Sequence, residues 1–419
     1  MSSAPALHRR LGTVDAVFIG LGSMIGAGVF AAFTPAAQAA GTGLLIGLVV
    51  AAVVAACNAL ASAQLAAAFP TSGGTYVYGR EQLGPWWGFL AGWSFVIGKT
   101  ASCAAMALTF ASYAAPPGWE RPAAAIAVIA LAAVNYRGVT RTAQLARVIV
   151  VLVIVALAVA VAATASAGMP ELTTFDTSSL LSHGPYGVLQ SAGLLFFAFA
   201  GYARIATMGE EVREPERTIP RAIVIALTIT IVIYAIVGVS LLGALGADGL
   251  AASTAPLRDA AAAWPWTGPV VTVGAALASL GALLALIAGV GRTSLAMARE
   301  GDLPRWLSAV HPRFHVPHRA EVVLAVAVVA LVLTVDLRGA IGFSSFGVLL
   351  YYLIANASAL TQTGDRRRFP RALFVVGAAG CIALVATLPV ASIVGGAVVL
   401  AVGVGYRLLR LRHKAQPGH

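Results

Sequence analysis

Residues 20–30 read Gly20-Leu21-Gly22-Ser23-Met24-Ile25-Gly26-Ala27-Gly28-Val29-Phe30 and sit in the middle of an apolar segment, 13–35. Four glycines within nine positions each weaken a helix by up to about 1 kcal/mol relative to alanine. In hydrocarbon, backbone groups freed by such a break must find partners or cost several kcal/mol. A break is therefore tolerated where the backbone lines a cavity and binds something. The N–H groups that open the following half-helix would favour a carboxylate, through both hydrogen bonding and the helix dipole. A second reading is tight helix packing, because Gly22-x-x-x-Gly26 also fits the small-xxx-small pattern. Spacing alone does not choose between the two. A dinucleotide fingerprint is excluded, since Ile25 stands where the third glycine belongs and no strand precedes it.

Working outward, the whole chain has the composition of a membrane protein. Of its 419 residues 59% are hydrophobic and 10% charged, with a mean hydropathy of +0.88. Soluble domains carry about a quarter charged residues, and a single core stops growing near 250–300 residues. Apolar stretches long enough to cross roughly 30 Å of hydrocarbon occur at 13–35, 43–68, 86–114, 122–137, 145–167, 186–208, 220–246, 268–297, 320–337, 340–362, 371–387 and 389–408. Twelve spans are expected. Eleven is the competing count, because the fourth stretch is short and only Leu388 and Pro389 part the last two.

The basic residues support twelve. With the N-terminus inside, Arg9, Arg10, Arg80, Arg137, Arg141, Arg147 and the basic residues of the later loops through Lys414 all fall inside. Only Arg121, Arg258 and Arg338 fall outside, and Lys99, Arg204 and Arg292 lie within or at the edge of spans. This is the positive-inside asymmetry, and it puts both termini in the cytoplasm of a multi-pass protein of the cell membrane. It also accounts for the net charge of +11 without any nucleic-acid partner. The N-terminal lead has no apolar core of its own, so no cleavable signal is expected. Cys57, Cys103 and Cys381 all lie in apolar spans, which implies neither a disulfide framework nor a metal cluster. No loop is long enough for a soluble domain.

The sixth span reads Phe196-Phe197-Ala198-Phe199-Ala200-Gly201-Tyr202-Ala203-Arg204, with aromatics around one mid-span glycine. On its own this suits lipid-facing aromatics and a packing glycine equally well. If five spans form one repeat and the next five another, the two glycine sites fall at the same place in each, and the odd number inverts the second copy in the membrane. Inverted-repeat transporters place two discontinuous helices face to face at the midplane in this way.

The motif Gly22-Ser23-Met24-Ile25-Gly26-Ala27-Gly28-Val29-Phe30 resembles the first-helix motif of the amino acid–polyamine–organocation permeases. So does the run from Phe196 with Glu210-Glu211-Val212-Arg213-Glu214-Pro215-Glu216-Arg217-Thr218-Ile219-Pro220-Arg221 after it. Met297-Ala298-Arg299-Glu300-Gly301-Asp302-Leu303-Pro304, Phe69-Pro70-Thr71-Ser72-Gly73-Gly74-Thr75-Tyr76 and Gly84-Pro85-Trp86-Trp87-Gly88-Phe89 are similar to further motifs of that family, in its order. The resemblance implies an all-α, LeuT-like five-plus-five inverted repeat with discontinuous helices 1 and 6, repeats at 13–167 and 186–362, and two accessory helices at 371–408. It implies transport of an amino acid or related amine by alternating access, without a cofactor. Carried over, the N–H groups of Ser23, Met24, Ile25, Gly26 and Ala27 would hold the substrate carboxylate. The carbonyls of Phe197, Ala198 and Ala200 would take its amino group, and Phe197 or Phe199 would gate the site.

Lys99 is the charge that does not belong in lipid. A charged residue at mid-bilayer costs about 2.5–3.5 kcal/mol on insertion scales, which marks it as functional by default. Gly98-Lys99-Thr100 is no P-loop, because Trp93 stands where that motif's first glycine is required. Lys99 contacts an anionic group of the substrate, carries the coupling proton or replaces a sodium ion electrostatically, or is held structurally by backbone carbonyls or a lone acid. Some family members have a fifth-helix lysine where this chain has Val153, which speaks for coupling through Lys99. Arg204, always charged, faces Glu210 or Glu211 or adds positive potential to the site; with Arg292 these form a possible salt-bridge latch. Two cations and no acid near the site argue for neutral or acidic amino acids over cationic ones. The expected function is a proton-coupled symporter in the lipid bilayer, with an exchanger and a channel or receptor as alternatives. No Ser/His/Asp set faces one cavity as a membrane enzyme would need. His311, His315 and His318 are not expected to bind metal, since Pro312 and Pro317 break the helix that would fix them.

Overall fold

A computed structural model describes residues 11–71, 73–138, 143–168 and 177–415, with side chains except at 365 and 413–415. Arg9, Arg10, Ser72, Arg141 and the Lys414 side chain, used in reading the sequence, lie outside them. The helices in chain order are α1 Thr13–Met24, α2 Ala27–Ala31, α3 Phe33–Ala40, α4 Leu44–Ala68, α5 Thr75–Leu83, α6 Pro85–Ala114, α7 Glu120–Tyr136, α8 Ala143–Ser166 and α9 Gly184–Phe199. They continue with α10 Ala203–Ala206, α11 Pro215–Ala252, α12 Pro256–Ala260, α13 Thr267–Arg299, α14 His318–Thr334, α15 Leu337–Leu360, α16 Arg371–Thr387 and α17 Val390–Ala415.

Among the described residues, nine helical segments are long and apolar enough to cross a membrane. Helices α7, α14 and α16, each of 17 residues, fill the remaining three places of the twelve. Alanine, leucine and valine carry most of these segments, and proline opens α6, α11 and α12 at the first position, where its missing N–H is no loss. The seventh span was expected to end at residue 246, and α11 does break there: Gly246 takes φ 65 and ψ 177, open to glycine and closed to most other residues. Beyond it the helix resumes to Ala252. Helices α3, α5 and α12 are too short or too polar to register as spans in hydropathy.

The first and sixth spans cross the centre of the bundle, enclosed by α4, α6, α11, α13 and α15. Helices α6 and α15 meet through glycine. A side chain at Gly98 would strike the backbone of Gly347 and Val348, and one at Gly347 would strike Ser94 and Gly98. A Ser102–Ser344 hydroxyl contact of 2.7 Å locks the register one turn on. This close seating fixes the face on which Lys99 stands.

The last helix is clasped at its end. Arg407 pairs with the buried carboxylate of Asp302, donates to the Pro85 carbonyl at 3.1 Å, and lies over the rings of Trp86 and Phe89 at 4.8 and 4.7 Å. Asp302 also accepts from Arg80 at 3.2 Å and from the Tyr76 hydroxyl at 2.9 Å. Three donors, two of them cationic, thus reach the two oxygens of that carboxylate, the compensation that burial of a charge requires.

Candidate substrate site between the two broken helices

The first span breaks between α1 and α2. Ile25 still donates to Leu21 at 2.7 Å, and Gly26 then turns the chain with ψ −137. Ser23 and Met24 belong to α1, so their N–H groups point back along that helix, and the Ser23 hydroxyl donates to Ile19 at 2.9 Å. In this conformation the N–H groups facing away from α1 begin at Gly26 and Ala27. Five residues were grouped at the head-group position; the structure separates them into three that finish one half-helix and two that start the next.

The sixth span changes more gently. It tightens from α-helix to a 3-10 turn at Ala200–Tyr202 before α10, with the Ala200 N–H on the Phe197 carbonyl. Gly201 serves close approach here. A side chain on it would overlap the main chain of Ser23 and Met24, and one on Gly28 would overlap the Cα of Ala198. The two central spans thus touch backbone to backbone at both levels of the break.

Three side chains attend the carbonyls released there. The Tyr234 hydroxyl of α11 lies 2.5 Å from the Met24 carbonyl and 3.0 Å from that of Ala198. The Lys99 ammonium donates to the Ala200 carbonyl at 3.2 Å, and the Tyr352 hydroxyl of α15 donates to the same oxygen at 3.3 Å. Lys99 is only 6% exposed. Tyr234→Phe removes the donor for two buried carbonyls and is expected to cost about 1–3 kcal/mol of stability, with a matching loss of transport. Thermal unfolding and uptake measured side by side would check it; an unchanged midpoint would mean those carbonyls find other donors.

The two gate candidates point apart. Phe199 is fully buried and its ring lies 5.0 Å from that of Tyr234. Phe197 belongs instead to a separate apolar cluster that also contains Ala27, Ala31 and Cys103. A cavity of about 10 Å³ beside the first break is lined by Gly22, Ile25, Gly26, Ile149, Val150, Val153 and Ala278, room for about one water. Val153 contributes only methyl groups, so an ion there would depend on backbone carbonyls.

Both ends of the site are shut. On the side of the chain termini, Leu11 forms a parallel bridge to Val212, with backbone bonds of 3.1 and 2.9 Å to Glu211 and Arg213. Asp15 of α1 pairs with Arg147 of α8 at 2.5 Å. Arg204 reaches Glu211 at 3.5 Å, and the Tyr78 hydroxyl donates to Ala206 at 3.0 Å. Glu210 engages in its own interaction nearby, and Arg292 lies within electrostatic reach of Arg204. On the opposite side the Tyr113 hydroxyl donates to Phe30 at 3.1 Å and Thr34 to Ser253 at 3.0 Å. The space between the two breaks is therefore reached only when one of these sets of contacts parts.

Glu321 is a buried charge that reading the sequence missed. It stands in the first turn of α14 against Gly291 of α13, 3% exposed, with one carboxylate oxygen lacking a hydrogen-bond partner. A lone acid at a span end looks like a solvated one in sequence, and only the packing reveals its burial. Of the three histidines, His311 has a turn-making role: its Nδ1 accepts from the N–H groups of Arg313 and Phe314, both at 3.2 Å.

With this geometry in view, a family model described as "Amino acid permease" matches residues 11–406. The chain belongs to the amino acid permease family. This permease is 59% identical over 400 residues to an uncharacterized transporter of Mycobacterium tuberculosis, covering 95% of this chain and 90% of the relative. It is 26% identical to the branched-chain amino acid permease BcaP of Bacillus subtilis, covering 88% and 84%. Among solved structures, MhsT in complex with L-phenylalanine superposes with a TM-score of 0.66 at 15% identity, over 92% of this chain and 99% of that one. That likeness establishes the fold: a LeuT-like, five-plus-five inverted repeat with two added helices. The permease is a multi-pass membrane transporter.

Proposed function

We propose that this permease carries an amino acid across the cytoplasmic membrane by alternating access, driven by protons, with both termini in the cytoplasm. Backbone contact of the two broken helices at Gly201 and Gly28 carries the reading, since it puts two sets of unwound or tightened backbone at one place in mid-membrane. Closure on both faces supports a carrier over a channel. The repeats divide at 13–167 and 186–362, with 371–408 as accessory helices.

Gly26 and Ala27 with their neighbours Ser23, Met24 and Ile25 receive the carboxylate as the break widens. Phe197, Ala198, Phe199 and Ala200 form the opposing wall, with Phe197 better placed than Phe199 to cover a substrate. Lys99 is the charge of the pocket. Its hydrogen bond to the Ala200 carbonyl sets it beside the sixth-span break, where substrate contact, coupling and a structural tie to that carbonyl are the roles open to it. Arg204, Glu210, Glu211 and Arg292 form the inner latch. With Lys99 and Arg204 both cationic, neutral or acidic amino acids suit the site better than cationic ones.

Purified protein in liposomes, given an outside-acid gradient, is expected to accumulate labelled amino acid until a protonophore collapses the gradient, and to show saturable counterflow. Accumulation that follows an imposed sodium gradient instead would rule out proton coupling. Flux without counterflow would rule out the carrier.

A further inference from the structure

The Ala200 carbonyl is the acceptor at which a substrate's amino group is expected, and it already holds a resident ammonium. A carbonyl oxygen has two lone pairs. Lys99 takes one at 3.2 Å and Tyr352 the other at 3.3 Å. A substrate amine can be received there only if Lys99 leaves. Lys99 is 6% exposed and, among the described residues, forms no ion pair with a carboxylate. Along its own helix, one turn away, stand Phe95, Val96, Ser102 and Cys103, none of which supplies an anion. A buried ammonium that loses its hydrogen bond and gains nothing is strongly unfavourable.

Each class of amino acid meets this requirement differently. A neutral substrate displaces Lys99 and offers it no partner. A cationic one adds its own side-chain charge to that of Lys99 and brings no second carboxylate to balance it. An acidic one gives its amino group to Ala200 and a second carboxylate to Lys99, so that the pocket trades one satisfied ammonium for another and adds an ion pair. We propose that the transported substrate is an amino acid with two carboxylates, and that Lys99 selects it by exchanging the Ala200 carbonyl for the side-chain carboxylate. The proposal rests on the amino acid transport reading and narrows it.

The test compares each acid with its isosteric amide on the purified, full-length protein: aspartate with asparagine, and glutamate with glutamine. Binding is read by thermal shift and by competition against labelled counterflow. The acids are expected to bind at least about tenfold tighter than the amides, the scale set by leaving one partner of a buried charge pair unmatched. Lys99→Met is expected to level that preference to within about twofold, and Lys99→Arg to keep part of it. Amides equal to acids in the unsubstituted protein would overturn the proposal, and this comparison stands even if Lys99→Met does not fold. A dicarboxylate lacking the amine, such as succinate, bound as tightly as glutamate would overturn the exchange at Ala200. Transport confined to neutral amino acids would defeat this inference alone, whereas failure of every amino acid to bind or move would defeat the transport reading beneath it.

Discussion

Gly201→Ala is expected to reduce uptake by about two orders of magnitude, the effect that a misplacement of about 1 Å can have on a positioned site. The added methyl has nowhere to go. It would overlap the Ser23 carbonyl and the Met24 amide, which are main chain and cannot rotate aside, so one of the two central helices must shift. Overpacking of this kind costs about 1–3 kcal/mol, and here it falls on the contact that sets the distance between the two breaks. Gly289→Ala provides the control, because nothing lies within 4 Å of a Cβ there. It should transport like the unsubstituted protein. Full uptake by Gly201→Ala would mean that the two spans do not need this approach at any point of the cycle.

Arg407→Ala is expected to produce the largest loss of stability, about 3–5 kcal/mol, as when one partner of a buried pair is removed. Asp302 keeps Arg80 and Tyr76, which places the expectation toward the lower end. Asp302→Asn combined with Arg407→Met should cost less than the sum of the single changes, because the two side chains act as one unit. Trp86 under the guanidinium and Trp93, whose ring nitrogen donates to Val399 at 3.0 Å, provide an intrinsic fluorescence signal for the unfolding of the last helix. Strict additivity would show that the pair is not coupled.

The twelve spans were legible in the sequence because length and hydropathy are properties of each segment by itself. The break within Gly22 to Gly28 was only partly legible: four glycines weaken a helix, but Gly20 and Gly22 stay inside α1 and the chain turns at Gly26. The character of the sixth-span break was not legible. A single glycine suggests unwinding, whereas Gly201 serves a contact with Ser23 and Met24 that no local pattern announces. The same applies to Lys99: its charge marked it from the start, but its partner Ala200 lies 101 residues away. Phe197 and Phe199 looked interchangeable as gates, yet two residues along a helix turn the side chain through about 200°, and only the packing shows that they fall in different apolar clusters, Phe199 against Tyr234. Glu321 carries no sequence signal of its burial, which comes from its packing against Gly291.

Tyr234 has one hydrogen and two claimants. Its hydroxyl lies near the carbonyls of Met24 and Ala198, and at any instant it can donate to only one of them. The knot between the first and sixth spans is in this sense always half tied. When either strand draws away, the proton stays with the other, so the first movement in either direction surrenders less than a full hydrogen bond. Under the alternating access proposed above, a donor that is never committed to one helix keeps the departures toward the two faces balanced.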